Sequence, residues 1–401
     1  MLESLRSVIQ FRPIELDGVK RRLARAANVE DLRRMAQRRL PEGVFDYIDG
    51  AAEDERSLAA STAAFARIGF APRVLRDVSA IDTTTTLLGR ALPFPLVLSP
   101  TGFSRIADPQ GELAVARAAH RAGLSYTLST MATRSIEEVR AVSPGDLWFQ
   151  VYVWRDRDLV LSMLERAAAA GYSTIVITVD TAVLGRRERD VRRGFTLPPK
   201  IGLDTIISGA RKPSWTAAFL RAEPIRFANM SATAADDGAD TAVNLAQYIN
   251  SQFDPALSWS DIDWFRQHWA GKVVIKGIQS VPDARIAVDH GVDGIALSNH
   301  GGRQLDGAPA PIDLVAPVAD AVGGKIAILC DGGVRRGSDI VKALALGADA
   351  CMVGRAYLYG LGAAGEAGVD YVLAFLAEGM RRTMALAGAA SLKELDRELI
   401  A

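Results

Sequence analysis

The sequence predicts an α/β fold: a (β/α)8 barrel of the TIM type with an N-terminal helical cap and a long insertion after the fourth strand. Three observations lead there. From residue 94 on, short β-rich runs alternate with helical patterns eight times over. Every run exits onto hydrogen-bonding or glycine residues, on the rim where barrels place their chemistry. The last two runs exit into Gly-rich turns that enter helices, the usual barrel seat for a phosphate.

The expected strands, in order, are Phe94–Ser99, Ser125–Leu128, Leu147–Tyr152, Thr174–Val179, Val273–Ile275, Gly294–Leu297, Ile326–Cys330 and Ala350–Val353. Helical patterns follow at Gly111–Ala122, Asp156–Ala170, Val281–His290, Ser338–Ala345 and Gly368–Leu386. Residues 1–93 are expected to form the cap, with helices near Val29–Arg38 and Gly43–Asp49. Residues 94–401 form the barrel, interrupted at about 181–271 by a segment far longer than a normal connection. Within it, Ala232–Asp240 is small and acidic and is expected to be disordered.

Composition narrows the function. Of 401 residues, 49% are hydrophobic and 23% charged, and the formal net charge is zero. With no basic domain, nucleic acid is not an expected partner. Cys330 and Cys351 lie in apolar runs outside any metal-ligand spacing, so buried thiols, no metal and a reducing, cytoplasmic setting are expected. The start of the chain does not read as a signal peptide, and no run approaches the ~18 apolar residues of a membrane span.

The densest chemistry is Ser298-Asn299-His300-Gly301-Gly302-Arg303-Gln304-Leu305-Asp306, leaving the sixth strand. A base and a fixed cation three residues apart suit proton removal beside a carboxylate: Arg303 holds the anion while His300 takes the proton. The other histidines, His120, His268 and His290, fall in helical patterns. Asp180, at the fourth exit, either orients His300 or caps the following turn. Lys276 ends the fifth run, as a Schiff-base nucleophile or as a cation for an anionic cofactor. Arg186 and Arg187 each offer a second guanidinium, and spacing does not separate them. The remaining exits carry Pro100, Thr101 and Gly102; Ser129; Gln150 and Tyr152; and Thr178. Asp331, Gly333, Arg335, Gly354 and Arg355 form the phosphate-type turns. Gly360–Gly365 matches G-x-G-x-x-G, but no βαβ unit surrounds it, so it is not read as a dinucleotide site.

On the nine-residue motif together with Asp331–Gly337, the chain resembles the FMN-dependent α-hydroxy acid oxidase/dehydrogenase family over about residues 28–395. Within that family it looks most like bacterial membrane-associated, quinone-linked L-lactate dehydrogenases, with mandelate dehydrogenases close behind. The resemblance implies FMN as cofactor, His300 as the base supported by Asp180, and Arg303, Arg187 and Tyr47 around the substrate carboxylate. It implies Tyr152 at the substrate hydroxyl, and Ser129, Gln150 and Thr178 at the flavin ring. It places Lys276 near flavin N1, and Ser298 with the stretch Asp331–Arg355 at the ribityl and phosphate groups. It also implies a homo-oligomer, commonly a tetramer.

Three departures matter. Gly102 stands where plant-type oxidases carry Ala, as in the mandelate dehydrogenase branch. Met131 replaces the Trp of plant glycolate oxidases, and a flexible Met admits larger hydroxy acids. Four histidines leave no pair to spare for a haem. The expected activity is oxidation of an L-2-hydroxy acid, L-lactate favoured, with electrons passed to a quinone. The alternatives are a mandelate-type or other larger-substrate dehydrogenase and an oxygen-using oxidase. Outside the class stands a non-flavin phosphate-binding barrel isomerase. In Leu197–Arg226, apolar Leu203, Ile206, Ile207, Trp215, Phe219 and Leu220 mix with basic residues, which suits an anionic membrane surface. A peripheral place on the inner face of the cell membrane is the corresponding expectation; a lid or a subunit contact is the alternative.

Overall fold

The computed structural model describes residues 15–194, 202–230 and 251–401. The stretch Ala232–Asp240 lies outside them, as do Leu197 and Lys200.

The described chain begins with α1 (Gly18–Leu23), α2 (Val29–Arg39), α3 (Glu42–Asp49) and α4 (Arg56–Arg67), then the strands β1 (Thr85–Leu87) and β2 (Arg90–Leu92). The barrel follows: β3 (Leu96–Leu98), α5 (Gly111–Arg121), β4 (Ser125–Ser129), α6 (Ile136–Val142), β5 (Leu147–Tyr152), α7 (Arg157–Ala169) and β6 (Thr174–Thr178). Next come α8 (Glu188–Arg192), α9 (Leu203–Ala210), α10 (Pro213–Arg221) and α11 (Trp259–His268). The chain ends through β7 (Lys272–Ile278), α12 (Val281–Asp289), β8 (Gly294–Ser298), α13 (Pro311–Val322), β9 (Ala327–Asp331), α14 (Gly337–Ala345), β10 (Ala350–Val353), α15 (Arg355–Ala364) and α16 (Glu366–Ala387). Strands β3 to β10 close into a parallel barrel, with β10 bonded to β3.

Side chains of a strand alternate faces with period two. One face builds a small core inside the barrel: Val97, Trp148, Val176, Val274, Ala296, Leu329 and Met352. The antiparallel pair β1–β2 plugs its lower end with Leu87 and Leu92. Two residues further along the same faces stand Ser99, Gln150, Thr178, Lys276, Ser298 and Asp331. The register sets them side by side: Ser129 opposite Gln150, Thr178 opposite Lys276, Ser298 opposite Asp331. The polar rim is thus the upper layer of the barrel's own interior.

Several boundaries differ from the sequence expectation. Lys276 does not end its strand: β7 runs on to Ile278 across an irregularity at Gly277, where φ is +111°. Between the end of β6 at Thr178 and the start of β7 at Lys272, the described residues form α8, α9, α10 and α11. The G-x-G-x-x-G stretch is helix α15, and its glycines serve packing. A Cβ on Gly360 would lie 2.3 Å from the Gly368 carbonyl oxygen, so α15 and α16 touch backbone to backbone. Cys330 and Cys351 are buried free thiols on adjacent strands. No described helix is long and apolar enough to cross a membrane.

Candidate active site

At the C-terminal ends of the strands lies a cavity of about 530 Å³, within the usual range for a cofactor or small-molecule site. It gathers all the residues nominated from the sequence except two, Asp180 and Ser298, which stand one contact behind its wall.

His300 follows β8 and holds a left-handed backbone, φ +56°. That conformation is costly for a non-glycine residue and marks a position fixed by its surroundings. Its main-chain N–H donates to Ser298 Oγ (3.0 Å), and its Nδ1 lies 2.9 Å from Asp180 Oδ1. With Nδ1–H committed to the carboxylate, the neutral ring presents Nε2 as its basic nitrogen. The Asp180 side chain is buried, and its second oxygen has no hydrogen-bond partner among the described residues. These contacts favour the orienting role over the capping one.

Two guanidinium groups share the Tyr47 ring: Arg303 at 4.9 Å and Arg187 at 5.4 Å from its centroid. Arg303 is held by the carbonyls of Tyr47 (2.7 Å) and Gly50 (3.1 Å). Burial, and then the neighbouring Arg187, press the Arg303 guanidinium well below its ordinary pKa. An anion between the two would relieve that repulsion. Arg187 also faces Asp190, its Nε 3.1 Å from a carboxylate oxygen. Arg186 is exposed at the mouth, so geometry separates the two arginines that spacing could not.

Lys276 is buried and sits 3.1 Å from Asp331, which also accepts from Ser99 and Ser298 at 2.7 Å each. Burial opposes its charge, but Asp331 and Asp180 outweigh burial and raise its pKa. A lysine kept protonated is a fixed cation and a poor Schiff-base nucleophile. Tyr152 also titrates far above its ordinary value, through burial and then Asp180, so its hydroxyl stays intact.

The wall between these groups fits a flavin. Gln150 accepts from Ser129 (3.0 Å) and from the Thr130 N–H (3.3 Å), while its buried Nε2 has no partner among the described residues. An unsatisfied amide donor in a cavity is costly unless a ligand accepts from it. Thr178 and Lys276 line the same wall. At the far end, Gly354 opens α15, whose first-turn N–H groups point where a phosphate would sit. Arg335 lines that end and packs over Tyr359 (5.9 Å). The Arg355 side chain is committed to the carbonyls of Ile48, Gly301 and Gly50, so it ties cap to barrel. What its position offers a phosphate is main-chain N–H and nearby charge. Pro100, Thr101, Gly102 and Gly333 also line the cavity.

The sequence reading missed Asp190 and three aromatic residues of the cavity: Phe103, Phe227 and Phe253. Phe227 stacks on Phe103 (5.2 Å between centroids) and Phe253 meets Tyr152 edge-on (5.3 Å). Both come from the insertion, where no periodic pattern announced them.

Gly102 has a steric reason. A Cβ there would fall 2.7 Å from the Met131 Cβ and 3.1 Å from its carbonyl oxygen. Gly102→Ala is expected to lower stability by about 1–3 kcal/mol through this overpacking. A thermal melt checks it, and an unchanged midpoint would show that Met131 yields freely.

The chain has relatives among known proteins. The profile of the FMN-dependent dehydrogenase family matches residues 36–401. A Mycobacterium tuberculosis protein provisionally named an L-lactate dehydrogenase is 46% identical over 98% of this chain and 94% of its own. Spinach (Spinacia oleracea) glycolate oxidase is 43% identical over 93% of this chain and 95% of its own. A crystal structure of (S)-mandelate dehydrogenase, described as a monotopic membrane protein, superposes with a TM-score of 0.90 at 40% identity. It covers 94% of this chain and 99% of that one. Relatives of this kind leave no place for the non-flavin isomerase. The chain belongs to the FMN-dependent dehydrogenase family and is an FMN-dependent enzyme of 2-hydroxy acid oxidation.

Proposed function

We propose that the protein is a dehydrogenase of L-2-hydroxy acids with apolar side chains, and that it passes its electrons to a quinone at a membrane surface. The observation that carries the acid chemistry is the pairing, in one cavity, of the His300–Asp180 dyad with the Arg187–Arg303 pair on Tyr47. Bound FMN supplies the two-electron acceptor. Arg187 and Arg303 hold the substrate carboxylate, and Tyr152 faces the hydroxyl. His300 Nε2 takes a proton from the substrate carbinol, and Asp180 balances the resulting imidazolium. Lys276 holds a fixed positive charge in the wall that would seat the flavin, where it would favour an anionic ligand.

The wall beyond the dyad is apolar and in part deformable: Met131, Leu184, Phe103, Phe227 and Phe253. L-lactate, favoured from the sequence, is the smallest member of the class this wall suits. The wall also supports larger and aromatic side chains, in keeping with the mandelate dehydrogenase neighbour.

The acceptor side rests on the surface. Around the mouth, Val183, Leu184, Val191 and Leu305 are exposed. Helices α9 and α10 add exposed Ile206, Ile207, Phe219 and Leu220. Trp215, counted from the sequence among the membrane contacts, instead donates to the Ile106 carbonyl (2.8 Å) and anchors α10 to the barrel. Lys212 is likewise held by the carbonyls of Gln37 and Arg38. The apolar tip is therefore borne on a fixed base, a geometry suited to shallow insertion in a headgroup layer.

Two measurements test this reading. Enzyme reduced by substrate should reoxidise quickly with a soluble quinone and slowly in air; peroxide formed as fast as quinone turnover would reverse the assignment. The wild-type protein should float with anionic liposomes at low salt, and Ile206→Ser/Ile207→Ser/Leu220→Ser should remain in solution. If the wild type stays in solution, the membrane part of the proposal is wrong.

A further inference from the structure

One residue of the nine-residue motif is left without a task by the chemistry above. Ser298 supports Lys276 and Asp331, and Asn299 bonds Ser61 on α4 (2.9 Å). Asp306 accepts from the N–H groups of Arg56 and Ser57 at the start of α4. Gln304 lines the cavity, and among the described residues its side chain hydrogen-bonds neither the cap nor any of the groups assigned to the flavin.

Its contacts go to a different loop. Gln304 Nε2 donates to the carbonyls of Asp180 (3.0 Å) and Val183 (2.9 Å), and its Oε1 accepts from the Gly185 N–H (3.0 Å). Both donor hydrogens and the acceptor are engaged along one short stretch, residues 180–185. That stretch carries Asp180 at its start and leads into Arg187. Gln304 itself follows directly on Arg303, four residues after His300. The two loops meet backbone to backbone: a Cβ on Gly185 would lie 2.4 Å from the Arg303 carbonyl oxygen and 2.7 Å from the Gln304 Cα.

We propose that Gln304 is a positioning residue that locks the Asp180–Arg187 loop to the His300–Arg303 loop, so that base, orienting carboxylate and carboxylate-binding pair keep one register. The inference rests on the reading of His300 and Asp180 as the proton-transfer pair. The dyad bond joins one side chain from each loop, and the two arginines that flank Tyr47 are divided in the same way. Neither pair can be held from one loop alone. The side-chain amide bonds main-chain groups of the 180–185 stretch, which fixes where Asp180 starts rather than what it touches. A misplacement of about 1 Å in such a constellation costs on the order of a hundredfold in rate.

The test is a double-mutant cycle on FMN-loaded protein, reading the anaerobic rate of flavin bleaching at saturating hydroxy acid. The proteins are wild type, Gln304→Leu, Asp180→Asn and the double variant. Gln304→Leu keeps the volume and loses the three bonds. It should retain wild-type flavin content and slow bleaching by roughly tenfold or more. In the Asp180→Asn background the same change should cost less than about twofold, because coupled residues are not additive. Equal slowing in both backgrounds, or no slowing in either, overturns the proposal while leaving the dyad intact. Bleaching by Asp180→Asn at the wild-type rate overturns the dyad reading, and the proposal with it. If Gln304→Leu fails to hold flavin, Gln304→Glu replaces it in the same cycle, since it keeps the acceptor for Gly185 and loses both donated bonds.

Discussion

His300→Ala should slow flavin reduction by roughly a hundred- to ten-thousand-fold, the usual worth of a positioned general base. Bound FMN should stay at wild-type levels. The expectation follows from geometry: Nδ1 faces a buried carboxylate at 2.9 Å, so Nε2 is the nitrogen left to take a proton. The wall assigned to the flavin, with Ser129, Gln150, Thr178 and Lys276, does not depend on the imidazole. The left-handed backbone at His300 is costly for Ala as well. His300→Asn is therefore the companion variant, because Asn tolerates that conformation without supplying a base. Anaerobic stopped-flow bleaching reads the effect. Near-normal reduction in both variants would remove His300 from the mechanism.

Loss of Arg303 should be nearly as severe and should appear in binding. Truncating one partner of a buried, hydrogen-bonded charge pair costs about 2–5 kcal/mol, or roughly thirty- to several-thousand-fold in KM. Arg303→Met should show this with a carboxylate substrate. Arg303→Lys should also be impaired, because a single ammonium cannot hold the Tyr47 and Gly50 carbonyls and also present a planar fork to the acid. An ester of the same hydroxy acid should be a very poor substrate of the wild type and no worse for Arg303→Met. Because Arg303 also braces the cap, melting curves must accompany the kinetics. Equal turnover of acid and ester by the wild type would reject carboxylate recognition at this site.

Much of this was legible in the chain. Strands buried on both faces read as continuous apolar runs, which is why all eight were found near their true places. The polar exits were visible because two-residue alternation carries the inner face from Val274 to Lys276 and from Leu329 to Asp331. What sequence could not show were pairings between distant segments. Lys276 looked like the end of a strand because the partner that lets a lysine stay buried, Asp331, comes from another strand. Helix α15 was invisible because its glycines look like a loop, and their purpose is the approach of Gly368. The strands β1 and β2 are too short to announce themselves. Gln304 was quoted within its motif and given no role, since everything it binds lies beyond the fourth strand. Phe227 and Phe253 sit within an insertion without periodicity, so the apolar side of the cavity appeared only once the chain was folded.

The most direct test of the central claim is anaerobic titration of the FMN-loaded protein with the two enantiomers of one apolar 2-hydroxy acid, followed by its L-ester. The L-acid should bleach the flavin fully and yield one equivalent of the 2-oxo acid, while the D-acid and the ester leave the spectrum unchanged. Bleaching by the ester as readily as by the acid, or no bleaching by any L-2-hydroxy acid from lactate to mandelate, would contradict the account.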